Sequence, residues 1–550
     1  MIDKHIQILM AMLIISIIVL PVFNFPGVRA IDENSSWTTL TPMPTARGGL
    51  GVAVVNGKIY AIGGLSGNSP VNSNEQFDPI SNQWTVEMPM PTARSGFAIS
   101  VYDNKIYVIG GTVGNGYVAN NEVYDPSTNT WETKASMPTP RSDLTASVVN
   151  DKIYLIGGKK YSSTDPYYIE TNVNEVYDPA NNTWTTKASI PTAVYGYASA
   201  TINGKIYIIG GSNNPTSSQN GALIDANQVY DPVTDNWSLA ANLPTLSIYG
   251  VAAATEDYMA PSRLYVVGGY FGDAFSSKTQ IYNPSNNSWT EGTPLPAPRA
   301  YLGLAAVNDI LYAIGGFDGQ NWLNINAQYK PADYGTVPPK LQITSPENKT
   351  YSQVNLTFTS NRGAVWTGYS VDNQANVTIT EGTKLSGLSQ GAHSIILYGN
   401  DSQGNMGSSS PVYFSIDSVP PTIVIMIPQN QSYGSTDMQL TFTVNKEVSK
   451  LSYNLDNEGN ITIIGNVTLP ALSDGSHHVT VYATDLIGNS GSAVVYFNIT
   501  SFPFITVAAT VAIATIALAA GFLFYKHRKP STNQKQKSNL AEKKQLDSFA

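Results

Sequence analysis

Four arginines follow closely similar proline-containing phrases and could together form a cationic binding site. Arg47 and Arg94 each follow PMPTA, Arg141 follows SMPTP and Arg299 follows PLPAP. The guanidinium fork suits bidentate binding of carboxylate or phosphate groups. Equivalent positions of repeats map to equivalent places around an axis, so the pattern predicts that the four arginines form an arc on one face. The alternative is architectural, with each arginine bonded to a backbone carbonyl or to the Asp of a neighbouring repeat.

Two other copies of the phrase carry aromatic residues, as Val194-Tyr195 and Ile248-Tyr249. Arginine with tyrosine is a favoured combination at binding hot spots, and tyrosine rings also suit the faces of sugar rings. The candidate binding residues are therefore Arg47, Arg94, Arg141, Arg299, Tyr195 and Tyr249.

The absence of cysteine and the positions of the histidines exclude several kinds of chemistry. The chain has no cysteine, and its five histidines are His5, His393, His477, His478 and His527. Disulfides and thiol catalysis are therefore impossible, and residues 31–335 can hold neither a histidine-ligated metal nor a histidine base. No catalytic motif interrupts this part, so we expect no cofactor, although catalysis by carboxylates alone stays open. The adjacent His477 and His478 would point to opposite sides of a strand and are interpreted as sheet residues.

Six copies of one phrase organise the first part of the chain. Each copy ends in Tyr, two apolar residues and Gly-Gly, and the second glycines are Gly64, Gly111, Gly158, Gly211, Gly269 and Gly316. They lie 47, 47, 53, 58 and 47 residues apart. Tryptophans recur in step at Trp84, Trp131, Trp184, Trp237 and Trp289, and Trp37 precedes the first copy. This period predicts a six-bladed β-propeller with four strands in each blade.

A further motif identifies the kind of repeat. Tyr-Asp-Pro begins at Tyr124, Tyr177 and Tyr230, with the variants Phe77-Asp78-Pro79, Tyr282-Asn283-Pro284 and Tyr329-Lys330-Pro331. With the di-glycine and the tryptophan, the pattern resembles the kelch repeat over roughly residues 35–332. The resemblance implies that the four arginines line the mouth of the central channel, as in kelch proteins that capture acidic peptides. Copper radical oxidases similar to galactose oxidase need a Cys-Tyr cross-link and His ligands, so that activity is excluded.

The sixth copy lacks a tryptophan strand, so we expect Ser36–Leu40 to supply the outer strand of blade six and close the ring.

A second repeat follows the propeller, because residues 341–417 and 422–500 are similar at a shift of 84, with Asp372 returning as Asp456. Each copy has short alternating segments typical of an immunoglobulin-like β-sandwich. They resemble the stalk modules of prokaryotic surface proteins, and proline-rich joints would limit bending between them.

The two ends of the chain predict a location. The apolar run Ile6–Leu20 and the small residue Ala30 are typical of a secretory signal over residues 1–30, or of an uncleaved anchor. Residues 502–525 carry no charge and are long enough for a transmembrane helix. The basic residues that follow predict a cytoplasmic tail over 526–550 and an outside location for residues 31–501. The domain prediction is thus all-β: propeller 31–335, two sandwiches, and one C-terminal membrane helix.

Charge and sequons agree with an exposed, exported part. The tail has a net charge of +5 and residues 1–30 have a net charge of +1. Because the whole chain has a net charge of −9, the part between them has a net charge of −15. An acidic exterior disfavours nucleic acid as a partner. Asn-x-Ser/Thr sequons, possible glycosylation sites, begin at Asn34, Asn181, Asn236, Asn286, Asn348, Asn355, Asn376, Asn400, Asn430, Asn460, Asn466 and Asn498. Dense sequons, absent cysteine and the stalk repeats together resemble archaeal cell-surface proteins.

Three functions from different classes fit these features. The preferred hypothesis is a single-pass cell-membrane protein for binding or adhesion, whose propeller recognises an extracellular protein or an acidic glycan. The second is a glycan-active enzyme similar to kelch-type sialic acid mutarotases or an epimerase. The third is a structural stalk of the cell envelope with no specific ligand. The lack of catalytic motifs favours a binding protein over an enzyme.

Overall fold

The computed structural model describes residues 36–500, except 115, 163–167, 214–221, 273 and 380–382. The predicted signal (1–30), the predicted membrane helix (502–525), the tail and Asn34 lie outside the described residues. The described chain divides into two compact units. The first extends to Gln342 and includes Thr359–Tyr369 and Leu397–Ser410, and the second comprises Ile343–Phe358, Ser370–Ile396 and the residues from Pro411 onward.

The first unit contains six sheets of four antiparallel strands, so the predicted six-bladed propeller is confirmed. From the innermost strand outward, blade one has Gly51–Val55, Lys58–Ile62, Asn74–Asp78 and Gln83–Val86; blade two has Ala98–Tyr102, Lys105–Ile109, Asn121–Asp125 and Thr130–Lys134; and blade three has Thr145–Val149, Lys152–Ile156, Asn174–Asp178 and Thr183–Thr186. Blade four has Ala198–Ile202, Lys205–Ile209, Asn227–Asp231 and Asn236–Ala240; blade five has Val251–Thr255, Arg263–Val267, Thr279–Asn283 and Ser288–Gly292; and blade six has Gly303–Val307, Ile310–Ile314, Asn326–Tyr329 and Trp37–Thr39.

The N-terminal strand closes the ring, as the sequence predicts. Trp37 lies opposite Tyr329 in the antiparallel pair, and Thr39 lies opposite Ala327. The Trp37 indole N–H donates to the carbonyl of Thr293, at the outer end of blade five, over 3.0 Å. The other repeat tryptophans donate in the same way to the preceding blade; their acceptors are the carbonyls of Thr41, Met88, Ala135, Ala188 and Ala241.

Apolar side chains on both sides of the second strands form the core between blades. In blade two, Ile106, Val108 and Ile109 have no exposed surface. Such a strand is apolar throughout because a neighbouring blade covers each of its faces. The aromatic residue of each Tyr-Asp-Pro motif pairs with the repeat tryptophan of the same blade, at 5.1 Å between ring centroids for Tyr124 and Trp131. These pairs extend the core to the outermost strand.

The di-glycines are needed where two loops approach each other. Gly110 and Gly111 have φ values of 72° and 98°, in the left-handed region that other residues rarely adopt. A Cβ added to Gly111 would lie 2.7 Å from the carbonyl oxygen of Ser95. A side chain here would therefore separate the loop from its neighbour.

Short hairpins follow several di-glycines and build up one face of the propeller. They are Leu65–Ser66 with Ser69–Pro70, Thr112–Val113 with Gly116–Tyr117, Lys159–Lys160 with Ile169–Glu170, and Tyr270–Phe271 with Ala274–Phe275. Antiparallel strands alternate in direction, so these hairpins and the proline-containing phrases lie at the same ends of the blades. We call this the upper face. The turns after the Tyr-Asp-Pro motifs lie on the opposite, lower face.

The chain after the propeller is also built of strands. Between residues 341 and 417 they are Leu341–Ser345, Thr350–Tyr351, Val354–Asn355, Thr357–Ser360, Trp366–Val371, Val377–Thr378, Lys384–Leu385, Gly391–Asn400, Met406–Ser408 and Val412–Ile416. The rest forms two sheets, one of Ile423–Ile427, Gln439–Val444 and Val467–Thr468, the other of Ser432–Tyr433, Ser490–Ile499, Gly475–Asp485, Val448–Leu455 and Asn460–Ile463. Leu440, Val479 and Phe497 belong to one buried core there. The immunoglobulin-like assignment stays a prediction.

Two observations bear on the predicted surface location. Among the described residues, no helix has the length and apolar character needed to cross a membrane. The sequon asparagines that the structure describes are exposed, except Asn400, which is half-buried. Their exposure is compatible with modification; the glycosylation itself stays a prediction.

A histidine–aspartate pair occurs at the same place in both C-terminal repeats. His393 Nδ1 lies 2.7 Å from the Asp372 carboxylate, and His477 Nδ1 lies 2.6 Å from that of Asp456. The Nε2 atom of each ring lies 2.8 Å from a backbone carbonyl oxygen, so both ring nitrogens face acceptors. An imidazole donates from both nitrogens only when it is protonated. His477 is nearly buried, whereas His478 stacks on Tyr496, as expected for neighbours on a strand.

We expect alkaline pH to destabilise the part that contains His477. The hydrogen bond to Asp456 raises the pKa of His477, against the opposing effect of burial. Because the folded-state pKa lies above the ordinary value near 6.5, the stabilisation is complete below that pH and is lost as pH rises through the folded-state pKa. Chemical unfolding of the wild type and of His477→Gln between mildly acidic and alkaline pH measures this. A stability difference between the two proteins that stays constant with pH would contradict the prediction.

Candidate functional site

The four predicted arginines have no exposed surface. Arg47 Nη1 lies 2.5 Å from the carboxylate of Glu75, and the corresponding pairs in blades two and three are Arg94 with Glu122 and Arg141 with Glu175. The second terminal nitrogen of each of these arginines donates to a backbone carbonyl over 2.8 Å. Burial lowers the pKa of Arg47 and Arg94, and the adjacent glutamates act in the opposite direction.

The expectation of an exposed cationic arc at Arg47, Arg94, Arg141 and Arg299 is therefore wrong. The side chains turn inward from the upper face, and a carbonyl on the second strand of the same blade accepts a hydrogen bond from each of them. In blades one to three, a glutamate on the third strand also pairs with the arginine. The architectural alternative is closer to the observed structure, although the acidic partner, where there is one, is a Glu of the same blade and not an Asp of a neighbouring blade. The sequence holds a signal for this pairing, because blades four and five lack the arginine and carry Gln228 and Gln280 in place of the glutamate.

A closed ring of backbone hydrogen bonds surrounds the propeller axis on the upper face. One residue from each blade donates its N–H to the carbonyl of its counterpart in the preceding blade, over 2.7 to 3.1 Å. All six residues have φ between 53° and 62°. They are Gly49, Gly96, Asp143, Gly196, Tyr249 and Tyr301. The first and sixth blades are joined by the same backbone hydrogen bond that joins every other pair of neighbouring blades.

Three of these six residues carry side chains at the mouth of the central channel. Asp143, Tyr249 and Tyr301 contribute to a cavity of about 250 Å³, which the innermost strands line with residues such as Thr145 and Ser199. The side chains come from blades three, five and six, whereas blades one, two and four have glycine at this position. The mouth is therefore asymmetric although the blades repeat.

Aromatic side chains continue from the mouth across the upper face. Successive rings lie 4.3 to 6.3 Å apart between centroids, from blade three to blade six. All are half-buried except Tyr195, which is 7% exposed. At the far end, the Trp322 indole donates to the carbonyl of Gly67 in blade one over 2.7 Å. We call this set the aromatic row; it comprises Tyr168, Tyr195, Tyr249, Tyr270, Phe275, Tyr301, Phe317 and Trp322.

The structure brings the two predicted tyrosines together, but at different repeat positions. The rings of Tyr195 and Tyr249 lie 6.3 Å apart. Tyr195 forms a bridge with Ser212, and the equivalent bridge in blade five is formed by Ile248 with Tyr270. Tyr249 is thus one position further along, where blade four has Gly196. The implied equivalence of Tyr195 and Tyr249 is wrong, although both belong to the aromatic row.

A lysine–aspartate pair lies at the blade-three end of the aromatic row. Lys159 Nζ is 2.5 Å from the Asp143 carboxylate, and it lies 4.7 Å from the ring centre of Tyr168 and 5.3 Å from that of Tyr195. Burial alone would lower the pKa of Lys159, but Asp143 more than offsets this and the pKa is raised. Burial also raises the pKa of Tyr249, so its hydroxyl stays protonated at neutral pH.

Sequence reasoning missed most of the aromatic row, although a positional signal was available. The residue directly after each di-glycine begins the loop on the upper face, and it is Lys159, Tyr270 or Phe317 in blades three, five and six. This position varies while the di-glycine does not. Flat rings with a few hydroxyls and one ion pair suit recognition of a surface. Within the described part of the chain, no group of acidic or histidine side chains could hold a metal ion.

Comparisons with known proteins agree with the repeat pattern. Residues 28–276 match the family described as Attractin/LZTR1 beta-propeller, and residues 261–296 and 298–329 match the Kelch motif. Kelch-like protein 35 of Mus musculus is 35% identical over 144 residues, which are 26% of this chain and 22% of that protein. Kelch-like protein terF of Aspergillus terreus (strain NIH 2624 / FGSC A1156) is 31% identical over 156 residues, 27% of this chain and 33% of that protein.

Among solved structures, "Structure of YjhT" aligns with 53% of this chain and 97% of its own chain, at 19% identity and a TM-score of 0.45. The matched region spans a third or less of the length of the two curated relatives described above.

Proposed function

Because this chain carries a kelch-repeat β-propeller, we propose that it is a recognition module whose upper face captures a partner protein. The observation that supports the proposal most is the aromatic row, which presents half-buried rings across blades three to six. Aromatic side chains dominate the binding energy of protein interfaces because they supply large contact areas at a small entropic cost. The hydroxyls and the ion pair of Lys159 and Asp143 would fix the orientation of the partner.

An acidic glycan is less well supported as a ligand than a protein. The four arginines are buried, and the Lys159 ammonium group is already paired with Asp143. An anionic sugar would have to be attracted by other basic side chains of the upper face, such as Lys160 in the hairpin of blade three. The rings themselves could still stack on a neutral sugar, which a glycan array would reveal.

Anchoring at the cell surface is part of the proposal and rests on the sequence. The uncharged segment 502–525 and the basic residues after it support a single membrane crossing with the propeller outside. Protease treatment of intact cells tests this. Release of the propeller into the medium is expected, whereas protection of the propeller until the cells are lysed would contradict an outside location.

We expect Tyr270→Ala and Trp322→Ala each to weaken partner binding about 30-fold, the effect of losing about 2 kcal/mol at a hot spot. A partner is first captured from surface-labelled cells by cross-linking to the full-length chain, and its dissociation constant is then measured. Ile80→Ala and Val233→Ala are matched controls, because these side chains are 95% and 79% exposed and lie on the lower face. Equal loss of binding in the controls, or no loss in the upper-face variants, would contradict the proposed site.

A further inference from the structure

Blade six breaks the pattern of arginine–glutamate pairs. Arg299 has no exposed surface, like the arginines of blades one to three. The third strand of blade six has Ala327 where those blades have Glu75, Glu122 and Glu175. The threonine that donates to the glutamate in those blades, such as Thr45, is replaced by Ala297. Both side chains that would fill the space beside the guanidinium are therefore truncated together.

The remaining contacts of Arg299 are weak. Its Nη1 and Nη2 atoms donate to the carbonyls of Ala297 and Ala313 over 3.3 and 3.4 Å. Its Nε atom has no partner, as in Arg47 and Arg94, but those two arginines have the glutamate in addition. The Nη1 bond is as long as that of Arg94, which measures 3.3 Å, whereas the Nη2 bond is longer than the 2.8 Å found for the other three arginines. None of the described acidic side chains forms an ion pair with Arg299. Burial lowers its pKa to about 10, so it is still charged at neutral pH.

A buried cation without a counter-charge is costly, and the other blades show how the chain avoids it. Blade four removes both charges, because Val194 stands in place of the arginine and Gln228 in place of the glutamate. The Gln228 amide then bonds the backbone N–H and carbonyl of Thr192. Blade six keeps the arginine and loses only the acid. An acidic group from outside the chain would complete the arrangement.

We propose that a small monovalent anion, chloride under physiological conditions, binds beside Arg299 in the place that the glutamate carboxylate takes in blades one to three. The enclosure of Arg299 restricts the ligand to an ion of about the size of a carboxylate group. Ala297 and Ala327 would leave room for it, and the guanidinium N–H groups that lack a strong acceptor would donate to it. The ion would link the loop before blade six to the third strand of that blade.

The test is thermal unfolding of the full-length chain in detergent, in sodium chloride and in sodium gluconate at equal ionic strength. Tryptophan fluorescence reports the propeller, because every tryptophan except Trp366 lies there. An anion at tenfold its dissociation constant adds about 1.4 kcal/mol of stability, so we expect the chloride melting temperature to be higher by about 2–5 °C. Sodium formate distinguishes a site that accepts small carboxylates from one that accepts halides only.

Ala327→Glu supplies the missing carboxylate from the chain itself. This variant should melt at a higher temperature than the wild type in gluconate, and its melting should no longer depend on chloride. Arg299→Val copies blade four and should lose the chloride dependence as well. Gln228→Glu is the matched control, because it adds an acid facing Val194, and it should keep the dependence. Equal wild-type melting in both salts, or a chloride effect that persists in Arg299→Val, would overturn the proposal.

Discussion

Replacement of Glu122 by Gln should lower the free energy of unfolding by about 3–5 kcal/mol, because it leaves the Arg94 cation buried without its counter-charge. Glu122 is 3% exposed and also accepts a 2.5 Å hydrogen bond from Thr92. An exposed ion pair would be worth less than about 1 kcal/mol. Chemical unfolding followed by tryptophan fluorescence measures the difference. A loss below 1 kcal/mol would show that the pair behaves as a surface pair.

The double variant Arg94→Val with Glu122→Gln should recover most of this loss. It reproduces the pair that blade four uses, Val194 with Gln228, in which the amide satisfies the backbone without any charge. Removing both charges of a buried pair is often nearly neutral, whereas removing one is not. A double-mutant cycle with the single variants separates the pair energy from the packing loss. A double variant less stable than Glu122→Gln would contradict this interpretation.

Trp37→Ala should cost about 3 kcal/mol or more, because it removes packing and also weakens the closure of the ring. The indole lies 5.1 Å from the ring of Tyr329 and donates to blade five. If the three-residue strand Trp37–Thr39 detaches, the edge of Asn326–Tyr329 becomes free to pair with another chain. We therefore expect the variant to self-associate on mild heating, which light scattering would detect.

Trp131→Ala is the control for this variant. It loses an equivalent pairing with Tyr124 and an equivalent bond to the preceding blade, but its strand is held within a continuous stretch of chain. It should lose similar stability without self-association. If both variants aggregate equally, ring closure is not the cause.

The sequence predicts the scaffold better than the site, for a physical reason. The di-glycines and tryptophans recur because the backbone approach and the inter-blade bond are the same in every blade, so their period predicts six blades and the closing strand. The direction of Arg94 depends on Glu122 in another strand, and the sequence indicates this pairing only indirectly, through blades four and five, which lack both residues. Matching the two Tyr-Gly pairs places Tyr249 one position early, because Tyr195 is the third residue after the threonine of its phrase and Tyr249 is the fourth.

The hydrogen-bonded ring at the channel mouth allows specificity to change while the scaffold stays the same. Its bonds involve only backbone atoms, so a side chain can change without breaking them where there is room for it. Gly96 and Gly196 are crowded, because an added Cβ would lie 2.8 Å from the side chain of Asp143 or Ile248, respectively. At Gly49, φ is 61°, and an added Cβ would meet nothing nearer than 3.7 Å. Asn and Asp adopt this conformation readily. A family of such propellers could thus diversify its ligands by point changes at the axis, with no insertion and no change of blade packing.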